Sequence, residues 1–169
     1  VCTLMHAIIF LMGEKKMSNT YDYTESNDCF PKTIIDEENG LEIEIDKDGN
    51  GTLVDAGLVK GRKNECVVPG YVKVIRGGAF SGTNCYSNII LSPGVQIIES
   101  EAFEEAYLVG KLVIPSTVSY IAQDAFNFEG GSDVTIEIDP DNPYYVSDRV
   151  ALYTKDFHSL IYFYDQNDG

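Results

Sequence analysis

The sequence predicts a mainly β solenoid: a short stack of right-handed coils with a parallel sheet along one side and a β-hairpin cap at each end. Three observations predict it. An Ala-Phe pair recurs with its ring at Phe80, Phe103 and Phe126, a constant step of 23 residues. Two further markers, Val72, Val95 and Val118, and Ile75, Ile98 and Ile121, hold the same step of 23. Several markers keeping one period identify a repeat array, whose units cannot bury their apolar faces alone and must stack. Finally, both flanks carry short alternating runs separated by turn residues, the pattern of hairpins.

Taken in order, residues 1–33 read as an apolar N-terminal segment plus a flexible polar linker. Val1 to Met12 is apolar apart from Thr3 and His6. At about a dozen residues it falls short of the ~20 needed to span a bilayer, so no membrane-spanning segment is expected. It has the length of a signal-peptide core, but Lys15 and Lys16 lie on its C-terminal side and no clean cleavage site follows. Three readings stay open: a clipped signal peptide or anchor, an upstream mis-start with Met17 as the true beginning, or an ordered first element. Glu14 to Lys32 has few residues that could be buried and reads as linker.

Residues 34–65 read as the N-terminal hairpin cap. Leu41, Ile43 and Ile45 alternate with Glu42, Glu44 and Asp46, the period of a half-buried strand. Asp48-Gly49-Asn50-Gly51 supplies turn chemistry, and Thr52-Leu53-Val54 begins the return strand. A solenoid end leaves an apolar face that needs such a cover.

Residues 66–139 read as the repeats. Leu112 and Ile114 point to one side of a short strand and Val113 to the other; one period back stand Ile89 and Leu91, two periods back Cys66 and Val68. Pro69 and Pro115 close two of these strands, while the middle copy has Ser92-Pro93; a Pro lacks the N–H that ladder pairing requires. Val134 to Ile138 alternates as a fourth strand, with one residue inserted relative to Leu112. Residues 140–169 hold a turn-rich Asp-Asn-Pro bend and then Val150–Tyr153 and Leu160–Phe163 around Thr154–Ser159, a C-terminal hairpin cap or the start of a further repeat.

These residues resemble the BspA-like leucine-rich repeat family, whose unit runs roughly L-x-x-I-x-I-P-x-x-V-x-x-I-x-x-x-A-F. The resemblance covers Cys66 to about Asp139. Leu41 to Val68 is similar to the family's N-terminal cap, and Asp139 to Asp156 to its recurrent N-P-x-Y-x-S-x-D-G-V-L-Y-x-K-D segment, with Arg149 in place of the usual Gly. The resemblance implies a leucine-rich-repeat solenoid with short strands or single helical turns on the face opposite the sheet. It also implies non-enzymatic binding of proteins or host surfaces by secreted and cell-surface proteins.

Composition bounds the chemistry. Lys and Arg number 12 against 27 Asp and Glu, a formal charge of −15. That field repels nucleic acid and anionic membranes and is compatible with cationic partners or divalent metal. Cys2, Cys29, Cys66 and Cys85 form no CxxC pair, and Cys66 sits at a core position. Asp46-Lys-Asp48-Gly-Asn50-Gly51-Thr52 matches the first half of a calcium loop, making Asp46, Asp48, Asn50 and Thr52 a weak candidate site. The twelfth position is Gly57 where a bidentate Glu is needed, and the flank is a strand, so a hairpin turn is the competing reading. Asn50-Gly51-Thr52 is also a glycosylation sequon. His6 and His158 offer no placeable nucleophile–base pair, and no cofactor fingerprint appears. Glu99, Glu101, Glu104 and Glu105 read as a solvated rim around Phe103.

The remaining candidate is a surface. Val67, Ile90 and Val113 occupy equivalent outward strand positions and would form an apolar stripe on the sheet face, a feature that marks interaction sites when exposed; β-branched residues also simply favour strands. The expectation is a non-enzymatic module binding a protein or cell-surface ligand, extracellular or cell-surface, with a cytoplasmic location as the alternative. The competing role is a fragment or stalk of a longer repeat protein with no site of its own.

Overall fold

The computed structural model describes residues 30–130, 133–148 and 151–163. The apolar N-terminal run with His6, Cys2 and Cys29, most of the expected linker, and Arg149 and Val150 lie outside the described residues. Among the described residues every regular element is a β-strand, and the chain forms a solenoid of about four turns.

The N-terminal cap has three strands, β1 (Lys32–Asp36), β2 (Leu41–Ile45) and β3 (Gly51–Asp55). β1 starts at Lys32, inside the stretch expected to be linker, and pairs antiparallel with β2 so that Ile34 lies opposite Ile43. Two adjacent apolar residues in five, Ile34 and Ile35, give β1 no alternation to read from sequence, and pairing with β2 supplies what periodicity does not. The β2–β3 hairpin is antiparallel, with Leu41, Ile43, Ile45 and Leu53 buried as their alternation requires.

The coils follow. β4 (Lys63–Val68), β6 (Tyr86–Leu91), β9 (Val109–Ile114) and β12 (Asp133–Ile138) form a parallel sheet in the order β12-β9-β6-β4. The register sets Cys66 beside Ile89 and Ile89 beside Leu112. Ile136 lies beside Leu112, which absorbs the one-residue insertion. On the opposite wall, β5 (Val72–Ile75), β7 (Ile97–Ile98) and β10 (Tyr120–Ile121) extend the cap in the order β1-β2-β3-β5-β7-β10. Between the walls, β8 (Phe103–Glu104) and β11 (Phe126–Asn127) pair in parallel, Phe126 beside Phe103. Short strands and turns therefore stand where single helical turns were the other expectation.

The constant step becomes a column of rings. Phe80 and Phe103 are fully buried and stack with centroids 4.7 Å apart and planes 3° apart; Phe103 and Phe126 follow at 5.4 Å. Aromatic pairs in such offset contacts add ~0.5–1.5 kcal/mol beyond area burial. The displaced Pro93 is followed by a glycine that the coil requires. Gly94 (φ 133°) passes so close to the coil before it that a Cβ there would sit 1.9 Å from the Gly70 carbonyl oxygen. Only glycine fits, and the Pro lies just before it.

After the coils, β13 (Tyr145–Ser147), β14 (Ala151–Thr154) and β15 (Leu160–Phe163) form an antiparallel sheet in that order. Tyr162 caps the ring column, edge-on to Phe126 at 6.0 Å and to Phe128 at 5.5 Å. Side chains meet several main-chain groups of the last coil here. The Asn142 amide donates to the carbonyls of Pro115 (3.1 Å) and Val118 (2.9 Å), and its oxygen accepts from the backbone N–H of Tyr144 and Tyr145. Ile121 N–H donates to the Tyr145 hydroxyl (2.8 Å), and the Ser147 hydroxyl donates to Ile136 O (2.8 Å).

Candidate interaction face

The parallel sheet presents its outward positions to solvent. Because side chains alternate along a strand, burying Cys66, Val68, Ile89, Leu91, Leu112 and Ile114 turns Val67, Ile90 and Val113 outward. The register places Val67 beside Ile90 and Ile90 beside Val113. The three thus form one continuous row across three adjacent strands. Val67 is 38% exposed, and Ile90 and Val113 are half-buried by their neighbours. In the fourth strand the row ends at Glu137, beside Val113.

Polar residues bound the row. Lys111 Nζ meets Glu137 Oε1 at 2.6 Å, so these two charges neutralise each other at the end of the stripe. Asn88, the outward residue preceding Ile90 by two, bridges three strands. Its amide donates to Asn64 O (3.0 Å) and its oxygen accepts from Lys111 N–H (3.0 Å). Gly110 makes room for this: a Cβ there would lie 2.6 Å from Asn88 Oδ1. A side-chain bridge therefore ties three strands of this face together where direct β6–β9 pairing is confined to residues 89–90 and 112–113.

The Asp46 segment is a hairpin turn. Asp46 Oδ1 accepts from the N–H of Asp48 (2.8 Å) and Asn50 (2.9 Å), and Oδ2 accepts from Asn50 Nδ2 (3.0 Å). The Asn50 side-chain donation, with those main-chain bonds, holds the Asp46 carboxyl below its usual range. Asp48 instead turns to Lys47 Nζ at 2.8 Å. Asp46, Asn50 and Thr52 border an open hollow of about 290 Å³ shared with Lys73 and Gln96; Asp48 does not line it. Of the four candidate ligands, three are brought together, and the one carboxylate among them already accepts three turn donors. Among the described residues no cluster of three or more His, Cys, Asp or Glu side chains is placed to hold a metal ion.

Other titratable groups sit in structural roles. His158 Nδ1 lies 3.3 Å from Asp156 Oδ2 in the exposed β14–β15 turn. Burial pushes the Cys66 thiol up to about 12. Tyr86 reaches from the first coil to the strands before it, its one hydroxyl proton shared between the carbonyls of Asn39 and Ala56 (2.8 Å to the latter); burial raises its pKa. Glu99, Glu101 and Glu105 are exposed and Glu104 partly so, with Glu99 Oε2 accepting from Gly77 N–H at 3.0 Å. Asn88 and Asn142 were not singled out from sequence. Asn142 begins the Asn-Pro-x-Tyr run of the recurrent family segment, but that resemblance carries no role for its amide, and a strand-interior Asn at the equivalent of Lys111 gives no periodic signal.

Among the described residues no helix is long and apolar enough to cross a membrane. No curated protein matches the chain in sequence. Two solved structures are similar. One is the pneumococcal vaccine antigen PcpA, at 15% identity and a TM-score of 0.38, covering 83% of this chain and 58% of that one. The other is a leucine-rich repeat protein from Eubacterium ventriosum, at 14% identity and a TM-score of 0.28, covering 68% of this chain and 46% of that one. The chain thus spans about half the length of each. The BspA type leucine rich repeat region matches residues 62–149 in six copies, a span that takes in the parallel sheet, the Phe column and the Asn142 bend. Repeats of this type generally serve as interaction modules. With that match over more than half of its length, the chain belongs to the BspA type leucine-rich repeat family.

Proposed function

We propose that the chain is a non-enzymatic binding module that docks a protein or cell-surface ligand against the outward face of the β4-β6-β9-β12 sheet. The observation that carries this reading is the row Val67–Ile90–Val113, three apolar side chains in adjacent register on the outward sheet face. An apolar row ringed by polar groups is the arrangement of an interface core and its rim. The net charge of −15 favours a partner without a strong negative field. An extracellular or cell-surface setting suits such a role, as members of this family are often surface-associated.

The test is the double variant Ile90→Thr/Val113→Thr, probed by binding to an array of candidate surface proteins and intact cells. The expected result is loss of binding with a melt within a few degrees of the parent. Binding retained at parental strength removes the stripe from the site. A stalk with no site of its own predicts no ligand for either protein.

A further inference from the structure

We propose that the hollow between residues 57–62 and 81–85 binds a tetrahedral oxyanion, a phosphate or sulfate group, through Arg62 and Thr83. The hollow measures about 270 Å³ and is bordered by Arg62, Ser81, Thr83 and Asn84. It lies between the segment that joins β3 to β4 and the turn that precedes β6.

Thr83 is the residue that points to a ligand. Among the described residues two polar side chains are buried, Asn142 and Thr83, the latter 4% exposed. Asn142 spends its amide on four main-chain groups. Thr83 has only its main chain engaged: its N–H donates to Phe80 O (3.1 Å), and its carbonyl accepts from Tyr107 N–H (2.8 Å). Its hydroxyl has no hydrogen-bond partner among the described residues. The one unpartnered side-chain oxygen sealed from solvent there is that of Tyr71. The small exposure that Thr83 keeps therefore reaches its hydroxyl, which is open to the hollow that Thr83 borders. Polar groups buried to this degree are normally paired. Packing does not require the hydroxyl. One period on, Ala106 is fully buried and closes the same turn, its N–H 3.3 Å from Phe103 O.

Arg62 supplies the charge. Arg76 is paired with Glu44 at 2.6 Å, whereas Arg62 meets no carboxylate among the described residues. Its guanidinium lies over the Tyr107 ring, 5.9 Å from the centroid. Tyr107 thus fixes the main chain of Thr83 and carries the head of Arg62. Acids outnumber bases 27 to 12 in the chain, yet none lines the hollow. Asp55, close by in sequence, accepts from Gly57 N–H at 2.6 Å. Burial raises the pKa of the bordering Cys85 thiol, which therefore stays neutral at pH 7. A guanidinium fork beside hydroxyl and amide donors, with no competing anion, matches the oxygens of phosphate or sulfate. The net charge of −15 disfavours anions over the rest of the surface, so saturable uptake here is not general ion binding. Val67, Ile90 and Val113 do not line the hollow, and the two proposals stand separately.

Amide chemical shifts of the full chain, titrated at constant ionic strength against chloride, test it. The probes are inorganic phosphate, inorganic sulfate, methyl phosphate and acetate. The expected result is saturable shifts at millimolar phosphate or sulfate, confined to residues 57–62, 81–85 and 107. Arg62→Gln should abolish them. Thr83→Ala should weaken binding about tenfold, since a hydrogen bond to an anion is lost, with a melt within a few degrees of the parent because Ala106 already fills the equivalent place. Arg62→Lys keeps the charge but not the fork and should fall between parent and Arg62→Gln. Methyl phosphate binding as well as the inorganic ion would assign the site to the ester end of a larger ligand; binding of the inorganic ion alone would assign it to the free anion. No saturation, shifts spread over the surface lysines, acetate binding as tightly as phosphate, or parental affinity in Thr83→Ala each overturn the proposal.

Discussion

Glu101 shows at the residue scale how a repeat tolerates an imperfect copy. It stands 23 residues after Gly78, and both adopt the left-handed conformation, at φ 59° and 77°. The coil geometry demands that conformation, which costs an L residue ~1–2 kcal/mol and costs glycine almost nothing. Glu101 is exposed, so replacing it forfeits little packing. Glu101→Gly is therefore expected to stabilise by ~0.5–1 kcal/mol after glycine's extra chain entropy is counted, a rise of ~2 °C in a thermal melt. Glu99→Gly is the control: Glu99 is absent from the residues with positive φ and its carboxylate accepts from Gly77 N–H, so that change should lower the melt. A fall for Glu101→Gly equal to the control's would show that the strain is not there. The sequence made the inward residues legible because each copy repeats its apolar types. It hid the φ of Glu101, because the demand is set by the coil and the residue type does not record it.

Elements at the two ends of the described stack are held by polar side chains that serve main-chain groups. Asn142 is fully buried and serves four main-chain groups. Removing it strands buried donors and acceptors at ~1–3 kcal/mol each, part of which water recovers. Asn142→Ala should then cost ~3 kcal/mol or more in urea unfolding, against under ~0.5 kcal/mol for an ordinary surface site. A loss of that small size would mean that the amide is dispensable. At the other end, the Asp46 carboxyl titrates below its unfolded value because three turn donors hold its anion. A lowered folded pKa gives stability that is complete above the unfolded value, about 4, and is lost as pH falls through the folded one. The melting difference between the parent and Asp46→Asn should accordingly shrink as pH drops from 5 towards 2. A difference that stays constant across that range would assign the turn's strength to its main chain alone. The β2–β3 and β14–β15 hairpins were legible from alternation and turn chemistry. β1 and β13 were not, since strands of three to five residues with one or two apolar positions gain their pairing from tertiary neighbours.

Across the whole molecule, stability follows from stacking: each coil supplies one wall of its neighbour's core. Phe103 is the test position because it touches rings on both sides, Phe80 at 4.7 Å and Phe126 at 5.4 Å, with Phe128 at 6.1 Å. In a quasi-one-dimensional array a defect in the middle removes two interfaces, whereas a defect at an end removes one. Phe103→Ala should cost ~3–5 kcal/mol, a large share of the 5–15 kcal/mol typical of a folded domain, and should bring unfolding near physiological temperature. Phe126→Ala is partly compensated, because Phe128 and Tyr162 also pack at that end, and its cost should be smaller. Equal losses at the two positions would mean that the coils do not share walls in this way. A melt of Phe103→Ala within a few degrees of the parent would remove the stacked column as the source of stability. The outward row Val67–Ile90–Val113 would then lose its basis too, since its alignment depends on the inward residues of the same strands staying in register.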